Sequence, residues 1–153
     1  MQAMSKKKIK LMRKEGLYLK DTGHKGRGVF CTADIRKGEI LEVTPTIILN
    51  KRETGAIEDT ILANYVFKIG AISKPHRKHL GITDTTKCSG VIMGIISYFN
   101  HAEEPNAEVE WEEQDGTLYH QVRALKRIPK NTEICTSYGG GWFDDRKDIK
   151  HHK

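Results

Sequence analysis

A mainly β single domain with a minor helical share is the fold class this sequence predicts, and three observations predict it. The chain has 153 residues, a length that suits one domain and suffices to bury a core without disulfide or metal staples. Ala107-Glu108-Val109-Glu110-Trp111-Glu112 alternates strictly between apolar and acidic residues, the period of a strand with one face on a core. Short β-branched and aromatic runs recur at turn-marked spacing along most of the chain, as in a domain built from many short strands. No internal repeat and no low-complexity segment interrupts them.

The elements follow in order. Residues 1–16 read as a basic arm, with a short strand or extended stretch over Lys6 to Arg13. Met1 to Lys8 lacks the apolar segment of a signal peptide and reads as a frayed end. Leu17 to Leu19 and Val29 to Thr32 read as strands around a turn at Asp21 to Lys25. Ile35 to Glu39 is a turn. Glu39 to Leu49 is a strand in which Pro45 marks an edge or a break. Arg52 to Thr60 is a polar loop with room for a helical turn, and Ile61 to Phe67 fits a strand or a short helix. Ile69 to Cys88 is rich in Lys, His, Pro and Gly and reads as an irregular insertion. Gly90 to Ile96 is apolar enough for burial on all sides. In the alternating strand Val109 and Trp111 should face the core; Gln114-Asp115-Gly116-Thr117 then gives a hairpin signal, with Leu118 to Ala124 as the returning partner. Leu125 to Thr132 is turn-rich and Glu133 to Ser137 is a last strand. The domain is expected over 17–145, with a basic tail at 146–153.

Composition narrows the function. The formal net charge is +6, and the positive residues lie in the first fourteen positions, at Lys74 to Lys78 and in the tail. They are not interleaved with aromatics in one stripe, so nucleic-acid binding is the lesser reading. Three cysteines, Cys31, Cys88 and Cys135, form no closely spaced pair. That speaks against a disulfide framework and for a reducing compartment, and against a structural zinc site, which needs about four clustered ligands. His76 and His79 read as a solvated loop pair. No apolar stretch has the length of a membrane span. No serine or cysteine stands in a nucleophile elbow, and Gly139-Gly140-Gly141 lacks the Lys-Ser/Thr of a phosphate loop. What remains is a backbone opened by Gly26 and Gly28, an Asn100-His101 pair ending an apolar run, and Tyr138 before three glycines. Such a set can bind a cofactor and position a reaction without a strong base. A buried Asn-His pair needs partners, since an unsatisfied polar group costs about 1–3 kcal/mol; backbone and ligand are both open as partners.

Taken together and in this order, Gly26-Arg27-Gly28-Val29-Phe30, then Phe99-Asn100-His101 with Pro105-Asn106, then Glu133-Ile134 with Ser137-Tyr138-Gly139 resemble the SET domain of protein lysine methyltransferases. The likeness runs from about Leu17 to Asp145. It implies a minimal type without zinc-binding flanking segments, built of several small curved sheets. The C-terminal strand would thread a loop as a pseudoknot, an exception to the usual unthreaded topology. It implies S-adenosylmethionine as cofactor and no metal. Carried over residue by residue, Lys25, Gly26, Arg27 and Gly28 lie along the methionine part of the cofactor. Asn100 and His101 meet its adenine and amine, and Trp142 or Phe143 covers the adenine. Tyr138 becomes the catalytic tyrosine. With an ordinary pKa of about 10 it orients the methyl group rather than taking a proton at neutral pH. Tyr65, Tyr98, Phe99 and Thr136 would line the lysine channel.

The departures are specific. Trp142-Phe143 reverses the common aromatic-Trp order. Thr136 stands where Phe or Tyr is common and would leave room for higher methylation. Ala102 replaces a serine, Glu104 stands where many relatives have a zinc-binding cysteine, and no cysteine-rich tail follows Phe143. Asp144 to Lys153, or a second subunit in a homodimer, would then cover the site. The implied substrate is a lysine-containing basic protein or peptide, a histone or another. The implied place is a reducing intracellular compartment: cytoplasm, or nucleus and host chromatin for a histone. A SET-fold binding module without catalysis is the alternative these departures raise. Glu103 to Asp115 carries seven carboxylates; they would draw in a basic peptide, or simply solvate an edge strand and deter edge pairing.

Overall fold

A computed structural model describes residues 7–69, 77–78, 81–82 and 88–137. Among these, the strands are β1 (Met12–Arg13), β2 (Leu17–Asp21), β3 (Arg27–Cys31), β4 (Ile40–Leu49), β5 (Val66–Lys68), β6 (Ser89–Ile92), β7 (Asn100–His101), β8 (Ala107–Gln114), β9 (Thr117–Ala124) and β10 (Cys135–Thr136). They form one large sheet in the order β5-β6-β4-β9-β8, with β1 also on β4, and two small sheets, β2-β3 and β7-β10. The expected mainly β architecture of several small sheets is therefore what the chain adopts.

β4 is the centre of the large sheet. Its inner face, with Leu41, Thr44 and Thr46, is buried, and so is the inner face of β9, with Leu118, His120, Val122 and Ala124. The β8–β9 hairpin turns at Asp115 and Gly116, both at positive φ, as a two-residue type I′ turn requires. The main core joins the sheets: Val29, Ile35, Leu41, Ile96, Phe99, Val122, Ile128 and Ile134 form one cluster. Ile69, Ile82, Cys88 and Leu118 form a second.

Pro45 is neither at an edge nor at a break, because β4 continues through it and pairs it with Tyr119 of β9. The Pro45 carbonyl accepts from the Met93 amide at 3.0 Å, so the proline nitrogen points to the same side, away from β9. On that side β1 pairs only Glu42 and Val43, and β6 begins at Thr46. The missing N–H therefore falls just past the end of the β6 ladder, opposite Met93, where only the bond from the Met93 amide forms.

Trp111 also departs from expectation. It lies on the inner face, opposite His120, yet it is 52% exposed. The alternation fixes its face correctly, but β8 is the edge strand of the sheet and the core beneath it thins beyond Val109. The stretch 61–67 divides between both readings: Ile61–Asn64 is a 3-10 turn and Val66 starts β5. The polar loop holds a short helix, α1 (Lys51–Ala56). The Asn50 side chain accepts from the Glu53 amide and the Glu53 carboxylate accepts from the Asn50 amide, a capping box.

From Lys7 the basic arm is docked on the large sheet. Gln114 accepts from the Ile9 amide at 2.8 Å and donates to the Lys7 carbonyl at 2.9 Å, and β1 pairs with β4. Arg13 Nε meets Glu42 Oε2 at 2.6 Å. Glu42 is 1% exposed, and its other oxygen accepts from the Ile96 amide. A buried carboxylate thus ties the arm to the 3-10 turn Ile95–Tyr98 that leads into Asn100.

Candidate active site

The last described strand passes through a loop. β10 runs parallel to β7, with Cys135 beside Asn100 and Thr136 beside His101. The Thr136 carbonyl accepts from the Ala102 amide at 3.0 Å, while the Cys135 carbonyl accepts from the Asn106 amide at 3.2 Å. Carbonyls of successive strand residues point to opposite sides, so residues 102 and 106 grip the strand from its two edges. The chain between them wraps it, which gives the pseudoknot. Asn106 completes the grip with its side chain. Its Nδ2 donates to the Glu133 carbonyl at 2.9 Å and its Oδ1 accepts from the Cys135 amide at 2.8 Å.

Threading draws the first glycine motif into the same place. The Ile134 amide donates to the Val29 carbonyl at 2.8 Å, so β3 lies along residue 134. Asn100, 2% exposed, donates through Nδ2 to the Arg27 carbonyl at 3.3 Å and to Glu133 Oε2 at 2.7 Å. A Cβ on Gly28 would fall on the Glu133 carboxylate and within 3.1 Å of Asn100 Nδ2, so a side chain there would displace the carboxylate from Asn100. Gly26 has φ +74°, which glycine adopts without strain. The Lys25 ammonium lies 3.8 Å from the other Glu133 oxygen. The hydroxyl of Thr22 accepts from the Lys25 amide and donates to the Gly26 carbonyl, fixing the turn that carries Lys25.

The aromatic candidates separate into two groups. The Arg27 guanidinium lies 5.1 Å from the Tyr98 ring centroid, within cation–π range. Tyr65 meets the Tyr98 ring edge-on with centroids 5.4 Å apart. Arg27, Tyr98 and Tyr65 therefore form one continuous surface beside the Gly26–Gly28 bend. Phe99 instead turns into the main core and is 0% exposed, so it backs this surface from within. Thr136 is buried beside His101. His101 Nε2 lies 3.5 Å from the exposed carboxylate of Glu103. Tyr138, Gly139, Trp142 and Phe143 lie outside the described residues, as do His76 and His79. Burial, reinforced by the negative charge of Glu133, pushes the Cys135 thiol up to about 11, which removes it as a thiolate nucleophile. Among the described residues no group of three or more His, Cys, Asp or Glu side chains is placed to hold a metal. No helix among them is long and apolar enough to cross a membrane.

Two participants had no role assigned from the sequence. Asn106 and Glu133 stand within the motifs that carry the family likeness, but only as parts of the pattern. Both act through contacts with residues distant in the chain, and no local pattern announces those.

The sequence pattern of the SET domain matches residues 26–139. A Schizosaccharomyces pombe protein named histone-lysine N-methyltransferase, H3 lysine-37 specific, is 30% identical over 131 residues, covering 84% of this chain and 78% of that protein. Among solved structures, a provisionally named histone methyltransferase of Plasmodium falciparum superposes with a TM-score of 0.57 at 24% identity, over 85% of this chain and 98% of that one. The Neurospora SET-domain protein DIM-5, a histone lysine methyltransferase, gives a TM-score of 0.59 at 20% identity, over 81% of this chain and 52% of that one. At these identities the two structures speak for the fold, while the matched pattern spans every segment that meets around Asn100. The chain belongs to the SET-domain family.

Proposed function

We propose that this chain transfers a methyl group from S-adenosylmethionine to the side-chain amine of a lysine in a protein substrate. The observation that carries the reading is the meeting of Lys25 to Gly28, Asn100 and residues 133–136 around one point. The residues fit such a cofactor. Gly28 leaves room for the Glu133 carboxylate that holds Asn100 and Lys25, Asn100 and Lys25 supply polar handles, and Trp142 and Phe143 follow closely in sequence to cover an adenine.

The cofactor supplies an electrophilic methyl carbon on a positively charged sulfur. The rest falls to the chain. Lys25 to Gly28, Asn100 and His101 bind and orient. Tyr138, two residues beyond buried Thr136 in the sequence, is assigned to the reacting centre, where its hydroxyl would act as an acceptor. Methyl transfer is an in-line displacement, and holding the partners in line is worth about 7–11 kcal/mol. The substrate amine must be neutral to attack. A channel walled by Tyr65 and Tyr98 disfavours the ammonium form and lowers the lysine pKa from its usual value of about 10.4. Thr136, smaller than an aromatic, leaves room for a methylated amine. The relative named for a histone lysine makes a histone the first substrate to test, with nucleus or cytoplasm as the place where such a protein would be met.

Transfer of labelled methyl from S-adenosylmethionine to histones and other basic proteins, read by mass spectrometry, tests this. We expect methyl-lysine with the native chain and a rate at least 100-fold lower for Tyr138→Phe, the scale of a lost transition-state contact. Full activity in that variant would remove Tyr138 from its role. Cofactor binding with no methylated product on any substrate would favour a binding module, the reading that Ala102 and the Trp142-Phe143 order raise.

A further inference from the structure

Glu133 touches both Asn100 and Lys25, yet it projects from the segment that leads into β10 rather than from the glycine bend. One carboxylate oxygen accepts from Asn100 Nδ2 at 2.7 Å, and the other lies 3.8 Å from the Lys25 ammonium. The carboxylate also occupies the space that a side chain at Gly28 would fill.

An amide is symmetrical in shape, so packing alone does not decide which end of Asn100 is oxygen. Hydrogen bonding decides it here. Two acceptors that cannot donate, the Arg27 carbonyl and the Glu133 carboxylate, face one end. Only the NH₂ group satisfies both, and a flipped amide would bring three oxygens together. The opposite end is therefore fixed as a carbonyl oxygen, an acceptor for a cationic donor. The same carboxylate holds the Lys25 ammonium close by.

From this we infer that Glu133 is a positioning residue. It sets Asn100 as an acceptor and anchors the Lys25 ammonium beside it, so that the pair recognises the zwitterionic α-amino-acid end of the ligand. This rests on the proposed cofactor, and it adds a residue that need not touch the cofactor at all.

Two substitutions separate its two contacts. Glu133→Gln keeps an acceptor for Asn100 but removes the charge that holds Lys25. Glu133→Leu removes both. Without ligand, the Asn100 side-chain amide resonances should stay near native in Glu133→Gln and move to freely exchanging values in Glu133→Leu. By calorimetry, S-adenosylhomocysteine should bind several-fold more weakly to the Gln variant and at least tenfold more weakly to the Leu variant, as expected for losing one charge-assisted contact. 5′-Methylthioadenosine, which lacks the amino-acid end, should bind all three proteins within twofold. Equal weakening of both ligands, or Asn100 resonances unmoved by Glu133→Leu, overturns the inference. If Glu133→Leu does not fold, Glu133→Gln decides through the ratio of the two affinities. Native protein that binds neither ligand while its Asn100 resonances respond as predicted would remove the cofactor reading, and the amino-acid recognition with it, but leave the orienting role of Glu133.

Discussion

The six-stranded sheet and the junction at residues 26–28, 100–106 and 133–136 are held together by different forces. The sheet has strands of up to ten residues, long ladders and a largely apolar inner face. Its stability is spread over many side chains, each worth about 1.5–3 kcal/mol when fully buried. The junction has two-residue strands, β7 and β10. Its cohesion is concentrated in a few polar side chains: Asn100 and Asn106 bond to backbone across the fold, and Glu133 bonds to the Asn100 side chain. A site built this way is stiff where its polar groups are satisfied and fragile where one is removed.

Asn106→Ala should therefore have the largest effect. It strands the Glu133 carbonyl and the Cys135 amide, and unsatisfied buried groups cost about 1–3 kcal/mol each. We expect a loss of about 2–4 kcal/mol in urea melts, with hydrogen exchange rising first at residues 133–136. A loss below 1 kcal/mol would show that the clamp is dispensable and that the contrast is misdrawn.

The sheet has one polar weak point of its own. His120 is buried beside Thr46, with Nδ1 and Oγ1 2.5 Å apart, and desolvation lowers its pKa from the usual 6.5 to about 4. The unfolded histidine binds a proton below about pH 6.5 while the folded one resists until about pH 4, so its contribution is complete above pH 6.5. Stability should fall as pH drops through that window, by about 1–3 kcal/mol. His120→Gln should flatten that part of the pH–stability curve, and an unchanged slope would clear His120 as its source.

Arg13→Ala should cost about 1–2 kcal/mol, because it strips the buried Glu42 of its cation while Arg13 itself is half in water. Adding Glu42→Gln should recover part of the loss. No recovery would place the cost in the packing of the arm rather than in the ion pair. Trp111→Ala is expected to change stability by less than about 0.5 kcal/mol, as for an exposed site. A larger effect would mean that the edge strand carries more of the sheet than its burial indicates.

Much of the sheet was legible in the chain. The alternation at Ala107 to Glu112, the Asp115-Gly116 turn and the β-branched runs encode local period and turn chemistry, and β3, β4, β8 and β9 lie close to where those signals put them. Local pattern misled where the answer depended on neighbours. Trp111 has the right face but no cover, and Pro45 sits mid-strand because its nitrogen lies just past the end of the β6 ladder. The site was legible as three motifs and their order, and the roles of Glu133 and Asn106 were not.

The amino-acid sequence by itself determined the class, the strand-forming segments and the family, because turn residues, side-chain alternation and motif order are properties of neighbours along the chain. Only the tertiary structure decided that Asn100 presents an oxygen rather than an NH₂ group, that Phe99 serves the core while Tyr98 and Tyr65 face the Arg27 side, and that an asparagine loop encircles the last described strand. These depend on parallel pairing between segments far apart in the chain, where the partner of each polar group is set by the fold and not by the residues beside it.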